Sequence, residues 1–88
     1  MEKRVYLVVI KPLAEKKLNK LPVQVRAALM NAIHKLADDP RPPGCKKLRG
    51  YAGLYRIRSG DYRIMYSIED KILTVFVTQV GHRSEVYE

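Results

Sequence analysis

The sequence has one cysteine, few acidic residues and no long hydrophobic run, and each shortage excludes a class of protein. The single thiol, Cys45, cannot form an internal disulfide, so the fold does not depend on oxidation and a reducing cytoplasm is the expected compartment. Cys45 also has no Cys or His neighbour at the spacing of a metal site, and no Asp/Glu cluster indicates bound Mg²⁺. We therefore expect neither a metal nor another cofactor.

The longest apolar run is far shorter than the roughly 18–20 residues that span a bilayer, which predicts no membrane segment. The run "VYLVVI" follows two basic residues, Lys3 and Arg4, as in a signal peptide. It is too short for a signal sequence and lacks a small-residue cleavage site. We interpret it as a buried strand.

The shortage of acids leaves a large positive charge. The 88 residues include 17 Lys and Arg against nine Asp and Glu, a net charge of +8. Such a charge points to nucleic acid, an anionic membrane or an acidic protein as partner, and composition does not choose among them. The length predicts a single domain over residues 1–88 with one modest core.

The apolar pattern predicts an α+β fold. A strand over residues 4–10 is followed by two short amphipathic helices, which begin at Pro12 and Pro22, the second ending near Asp38. A proline- and glycine-rich connection, Asp39–Gly53, leads to three strands, at 54–58, 62–68 and 72–80. The predicted architecture is β-α-α-β-β-β, a two-helix hairpin on one face of a largely antiparallel four-stranded sheet.

The segment "LYRIRSGDYRIMYSI" predicts a hairpin that carries three arginines, Arg56, Arg58 and Arg63. Side chains alternate along a strand, so the turn decides which of them share a face. A two-residue turn at Ser59-Gly60 sets Arg56 opposite Arg63, and one at Gly60-Asp61 sets Arg58 opposite Arg63. Both turns place Arg56, Arg58 and Arg63 on one face of the sheet, the arginine face. A three-residue loop does not.

The same alternation in the third strand assigns Val75 and Val77 to the apolar face, with Leu73. It assigns four residues to the arginine face: Thr74, Phe76, Thr78 and Val80. We expect the helices to cover the apolar face and leave the arginines open. Like charges that lie opposite each other destabilise a sheet, and a bound phosphate would offset this because guanidinium groups bind phosphate bidentately. The alternative is a solvated basic face.

Two neighbouring segments add to the predicted anion site. The connection contributes the basic residues Lys46, Lys47 and Arg49, and the tail "GHRSEVYE" follows the last strand. The tail carries His82, Arg83 and Tyr87, which can fold back to the end of the sheet. Histidine moves protons near neutral pH and tyrosine stacks on bases, although a surface tail with an incidental histidine is the simpler interpretation.

Three motifs, "KKLRG", "GLYRIRSGDYRIMYSI" and "VGHRSEVY", together resemble the RelE/ParE toxin superfamily on its RelE side. The order of strands and helices is also similar. The resemblance implies a toxin of a type II toxin–antitoxin system that acts as a ribosome-dependent endoribonuclease on mRNA in the decoding site, without a metal. It implies an antitoxin protein, the ribosome and mRNA as partners.

The resemblance also implies roles by position. Arg56 and Arg58 match two basic residues that act at the scissile phosphate, and Arg63 matches an arginine that holds phosphate. Arg83 matches a tail arginine that supports the leaving group, and Tyr87 a tyrosine that stacks on or orients the nucleotide. The basic residues Lys46, Lys47 and Arg49 are assigned to RNA or ribosome binding.

This chain has arginine where well-studied members have lysine, at positions 56 and 58. A lysine with a lowered pKa can act as a base, whereas an arginine cannot. Either His82 moves the proton, or catalysis is mainly electrostatic. Two other functions remain open: inhibition of DNA gyrase, as in ParE-like toxins, and binding of RNA or protein without toxicity.

Overall fold

The computed structural model describes residues 4–85, and over this range two helices pack on one face of a five-stranded sheet. The elements in chain order are β1 (Leu7–Ile10), α1 (Pro12–Asn19), α2 (Val23–Lys35), β2 (Lys46–Lys47), β3 (Leu54–Ser59), β4 (Tyr62–Glu69), a 3₁₀ turn (Asp70–Ile72) and β5 (Thr74–His82). The predicted fold class is confirmed. The fifth strand is β2, a two-residue strand within the connection that was expected to lack strands.

The strand order is β1-β5-β4-β3-β2, with β1 parallel to β5 and the other neighbours antiparallel. The first strand begins later than predicted, at Leu7, and lies at the edge of the sheet. Leu7 is 64% exposed, so burial on both faces, as expected from the apolar run, does not extend to this end. An edge position leaves the side chains of a strand with fewer neighbours.

The helices bury the residues that their apolar spacing predicts. Pro12 lies in the first turn of α1, where its missing N–H costs nothing, and Ala14 and Leu18 of this helix are buried. Leu29 and Ile33 of α2 are buried as well. These side chains pack with the apolar face of the sheet in one core, whose strand members are Ile57, Ile64, Tyr66, Val75, Val77 and Val80.

The hairpin of β3 and β4 closes with the two-residue turn Gly60-Asp61. Arg58 pairs with Arg63 and Ser59 with Tyr62, and Gly60 adopts φ +60°, which suits glycine in a tight turn. The register is one of the two predicted from alternation. It confirms that the three hairpin arginines share one face of the sheet.

A β-bulge interrupts the pairing of β4 with β5. Met65 pairs with Gln79 but Tyr66 pairs with Val77, so Thr78 is an extra residue in β5. Because the extra residue shifts the alternation, Val80 turns to the core, where it is only 4% exposed. The expectation that Val80 lies on the arginine face is therefore wrong, and Gln79 and Gly81 take that side.

A polar cluster ties the long connection to the far end of the sheet. The Arg41 guanidinium donates to both carboxylate oxygens of Asp70, at 2.9 and 3.3 Å, and lies over the ring of Tyr55. The Tyr6 hydroxyl donates to Asp70 at 2.6 Å, and the Tyr66 hydroxyl donates to the Pro40 carbonyl at 2.7 Å. Hydrogen bonds from Arg41, and then from Tyr6, hold the pKa of Asp70 below its usual value.

This lowered pKa makes the contribution of Asp70 to stability depend on pH. A carboxyl whose folded pKa is depressed stabilises the fold above its unfolded pKa, and the contribution is lost as the pH falls through the folded pKa. We expect Asp70→Asn to lower the midpoint of urea denaturation at pH 7, and the difference from the wild type to narrow below about pH 4.

The matched control is Glu69→Gln. Glu69 is a neighbouring exposed carboxylate that makes no side-chain hydrogen bond within residues 4–85. Its effect on the denaturation midpoint should be small at both pH values. A difference between Asp70→Asn and the wild type that stays constant from neutral to acid pH contradicts the prediction.

Candidate functional site

The candidate site lies on the sheet face opposite the helices, which we call the arginine face. Cross-strand register places Lys46 beside Arg56 on this face, and Arg58 beside Arg63. The side chains come from three adjacent strands, β2, β3 and β4. The face therefore brings together four of the basic side chains that the sequence analysis selected.

Arg58 and Arg63 form the centre of this charge. They are direct neighbours across the hairpin, with Arg58 exposed and Arg63 half-buried. Like charges at directly opposite positions of a sheet are unfavourable, by about 0.2–1 kcal/mol for a cross-strand pair. Neither can lose its proton to relieve the repulsion. An anion that contacts both groups lowers this cost, which makes the pair suited to a phosphate.

Arg56 departs from the expectation of an open face. The side chain is only 1% exposed, and Met65, its partner on β4, is buried too. The expectation that the arginines are left open is therefore wrong for Arg56. Since an arginine keeps its proton in a protein, this position places a fixed positive charge beneath the surface.

The other basic residues of the connection do not all lie on the arginine face. Lys46, Lys47 and Arg49 are all exposed. Lys47 pairs with Tyr55, whose side chain belongs to the opposite face, so only Lys46 of the two β2 lysines shares the face with the arginines. The structure places Arg49 just beyond β2, before the segment that returns to β3.

Arg83 is held at the hairpin end of the sheet. Its backbone N–H donates to the Asp61 carbonyl at 2.8 Å, and its Nε lies 3.9 Å from the Asp61 carboxylate. The side chain is 66% exposed. Because Asp61 belongs to the turn that follows Arg58, these contacts bring the tail arginine to the end of the sheet that carries Arg58 and Arg63.

His82 lies on the other face. It pairs with Tyr62, and the two rings meet edge to face with centroids 5.4 Å apart. His82 Nδ1 lies 2.8 Å from the Ser84 hydroxyl oxygen and 3.2 Å from the Ser84 backbone nitrogen. The structure thus does not bring the His82 ring together with the arginines. Tyr87, the last predicted site residue, lies outside the described residues.

Glu85 closes the turn that carries Arg83. Its N–H donates to the His82 carbonyl at 2.8 Å, and its carboxylate accepts the His82 N–H at 3.0 Å. Lys17 of α1 reaches the same carboxylate at 3.1 Å. The hydrogen bond from His82, with the Lys17 ammonium, lowers the pKa of Glu85. The Lys17–Glu85 contact was missed in the sequence, since no local pattern signals a pair so distant in the chain.

Within residues 4–85, no group of three or more His, Cys, Asp or Glu side chains is arranged to hold a metal ion. Within the same range, no helix has both the length and the hydropathy needed to cross a membrane.

The comparisons with known proteins identify a class of toxin. A family model described as the ParE toxin of the type II toxin–antitoxin system, parDE, matches residues 8–87. Since the match extends over most of the chain, the protein belongs to this family, the RelE/ParE toxin superfamily.

Curated relatives place the chain on the RelE side of the superfamily. Toxin RelG of Mycobacterium tuberculosis is 36% identical over 75 residues, which cover 84% of this chain and 86% of that protein. The mRNA interferase toxin RelE of Escherichia coli is 40% identical over 78 residues, which cover 84% of this chain and 81% of that protein.

Solved structures agree with this placement. The toxin–antitoxin complex RelBE2 from Mycobacterium tuberculosis contains a chain that superposes with a TM-score of 0.83 at 33% identity, covering 94% of this chain and 97% of that one. The isolated Escherichia coli RelE toxin superposes with a TM-score of 0.76 at 32% identity, covering 88% and 83%. The prediction from the sequence motifs is confirmed: the chain is a RelE-type toxin.

The Glu85 contacts predict a local change in backbone protection. Replacing Glu85 with Ala removes the acceptor of the His82 N–H, so we expect hydrogen exchange at the His82 amide to accelerate roughly fivefold. The control is Lys17→Ala, which removes the ion pair but leaves the carboxylate acceptor and should have a smaller effect. NMR measures both, and equal exchange at His82 in Glu85→Ala and the wild type contradicts the prediction.

Proposed function

We propose that this toxin is a ribosome-dependent endoribonuclease that cleaves mRNA in the ribosomal A site and so inhibits translation. The observation that carries the proposal is the pairing of Arg58 with Arg63 at the hairpin end of the arginine face, with Arg83 tethered to the adjoining turn. The name of its Escherichia coli relative, an mRNA interferase toxin, supports it.

The proposed reaction needs no metal. The 2′-hydroxyl of one nucleotide attacks its own 3′-phosphate, and the bond to the next 5′-oxygen breaks. The products are a 2′,3′-cyclic phosphate and a 5′-hydroxyl, with one proton leaving the attacking oxygen and one reaching the leaving oxygen. Charge on the phosphorane-like transition state grows on the phosphoryl oxygens, where fixed cations stabilise it most.

The arginines divide this task by position. Arg58 and Arg63, the exposed and half-buried pair, contact the phosphoryl oxygens, and Arg56 adds positive potential from beneath the surface. Arg83 supports the leaving 5′-oxygen, and Lys46, Lys47 and Arg49 bind the RNA and ribosome around the site. Tyr87 is proposed to stack on the substrate nucleotide, by its match to the family.

Two routes are proposed for the proton transfer: either His82 or solvent carries the proton from the 2′-hydroxyl and to the leaving 5′-oxygen. An arginine stays protonated in proteins and so does not act as a base. The position of the His82 ring, against Tyr62 on the other face, favours mainly electrostatic catalysis with solvent carrying the protons. For His82 to act instead, its ring has to leave Tyr62 and reach the arginine face.

Removal of Arg63 tests the proposed activity. Loss of one group that stabilises transition-state charge costs about 10²–10³ in rate. We expect Arg63→Ala to slow single-turnover cleavage of mRNA on programmed ribosomes by about this factor, measured by primer extension. Arg26→Ala on α2 is the matched control and should cleave at the wild-type rate.

A substrate change makes the same test more specific. A 2′-deoxy nucleotide at the scissile position lacks the attacking oxygen, so the wild-type protein should leave that message uncut. Cleavage of the 2′-deoxy message, or wild-type rates with Arg63→Ala, contradicts the proposed reaction.

The second candidate is inhibition of DNA gyrase, and the description of the matching family model, a ParE toxin, favours it. The mRNA interferase name of the Escherichia coli relative favours cleavage over it. Gyrase supercoiling with purified protein separates the two. Inhibited supercoiling with intact ribosomal mRNA supports the second candidate.

We also propose an antitoxin protein as the partner, as in the RelBE complexes of relatives. A net charge of +8 and the exposed Arg58 fit an acidic segment that orders on binding. We expect affinity for the cognate antitoxin, measured by calorimetry, to fall by about tenfold or more between roughly 0.1 and 1 M salt. Arg58→Ala should weaken this salt dependence and Arg26→Ala should not; equal slopes in all three proteins contradict the prediction.

A further inference from the structure

A small cleft opens on the arginine face beside the charged residues. Its volume is about 220 Å³, and the lining residues are Leu48, Tyr51, Leu54, Met65, Gln79 and Glu85. Met65 and Gln79 are direct neighbours across β4 and β5, and both lie on the arginine face because of the bulge at Thr78. The segment between β2 and β3 supplies the opposite wall.

The lining suits a flat aromatic ligand. Leu48 and Met65 are buried and apolar, whereas the Tyr51 ring beside them is 57% exposed. Gln79 is exposed and offers both a hydrogen-bond donor and an acceptor. The volume is below the roughly 300–1,000 Å³ of pockets that enclose drug-sized ligands, which leaves room for a single ring system.

The cleft lies within one nucleotide of the arginine pair. Met65 follows Arg63 by two residues on β4 and points to the same face, a separation of about 7 Å along the strand. A nucleotide spans a similar distance from phosphate to base. A phosphate held by Arg58 and Arg63 therefore puts an attached base in reach of Met65 and Tyr51.

Glu85, the acid among the cleft residues that the structure describes, does not oppose an anionic ligand strongly. The Glu85 carboxylate is engaged by Lys17 at 3.1 Å and by the His82 N–H at 3.0 Å. These contacts offset its charge, and its remaining acceptor capacity suits the exocyclic amine of a base.

From these observations we propose that the cleft is a nucleobase subsite, in which Tyr51 stacks on an unpaired base of the message and Gln79 hydrogen-bonds to its edge. Single-stranded RNA is commonly recognised by this combination of aromatic stacking and contacts to base edges. The subsite rests on the proposed cleavage of mRNA, and it makes Tyr51 and Gln79 determinants of which codon is cut.

The test measures base binding and cleavage separately on programmed ribosomes. For binding, the message carries a 2′-deoxy scissile nucleotide and 2-aminopurine at successive codon positions, since stacking quenches the fluorescence of this base. For cleavage, single-turnover rates are measured for codons that differ at one base. The variants are Tyr51→Ala, Tyr51→Phe and Gln79→Ala, with thermal melting to establish that each is folded.

We expect one codon position whose base is quenched with the wild type and with Tyr51→Phe but not with Tyr51→Ala. Quenching that Tyr87 causes at another position should be the same in all three proteins. Cleavage by Tyr51→Ala should fall about tenfold or more, while Phe retains the rate because the ring is kept. Gln79→Ala should reduce the preference among bases at that same position by about tenfold.

The outcomes separate the two proposals. One outcome is that the wild type cleaves, and that Tyr51→Ala and Gln79→Ala have the same cleavage rate, base preference and 2-aminopurine quenching. The proposed subsite is then wrong, while the proposed cleavage activity stands. If no codon position loses its quenching with Tyr51→Ala, the cleft takes no base. If the wild type cleaves no message, the proposed function itself fails.

Discussion

The turn at Gly60-Asp61 is the constraint on which the arrangement of the site depends. A two-residue loop sets Arg58 opposite Arg63, and through alternation it assigns every other side chain of β3 and β4 to a face. A slip of β4 by one residue would move Arg63 into the core and Tyr66 into solvent. The apolar residues that pack under the helices thus also keep the arginines on the opposite face of the sheet.

The bulge in β5 is a second constraint of the same kind. It lets Val77 and Val80, three residues apart, both face the core, which regular alternation forbids. For function, the consequence is that the β5 side chains after Thr78 lie on the sheet face opposite to the one that regular alternation assigns to them. If β5 alternated regularly through Thr78, with no bulge, the His82 side chain would share the face of the arginines. With the bulge, His82 packs on Tyr62 and Gln79 lies beside Met65.

The turn and the bulge explain which features of the fold and site could be predicted from the sequence. Alternation and a glycine-containing turn are local, so the shared face of Arg56, Arg58 and Arg63 was predictable, and the hairpin register was narrowed to two alternatives. The bulge was overlooked although the odd spacing of Val77 and Val80 is a usable signal. Neither the burial of Arg56 nor the Lys17–Glu85 pair has any local signal, because each depends on segments that meet only in the folded chain.

The use of arginine at positions 56, 58 and 63 fits a division of labour in the proposed site. An arginine supplies a charge that does not change with pH and a planar set of donors that matches a phosphate. It accepts no proton, so a site built from arginines lowers the energy of a charged transition state without acting as its base. In the proposed subsite, Tyr51 and Gln79 hold the base so that the attacking 2′-oxygen and the phosphate are in line. Binding energy from a non-reacting part of the substrate would then contribute to the rate.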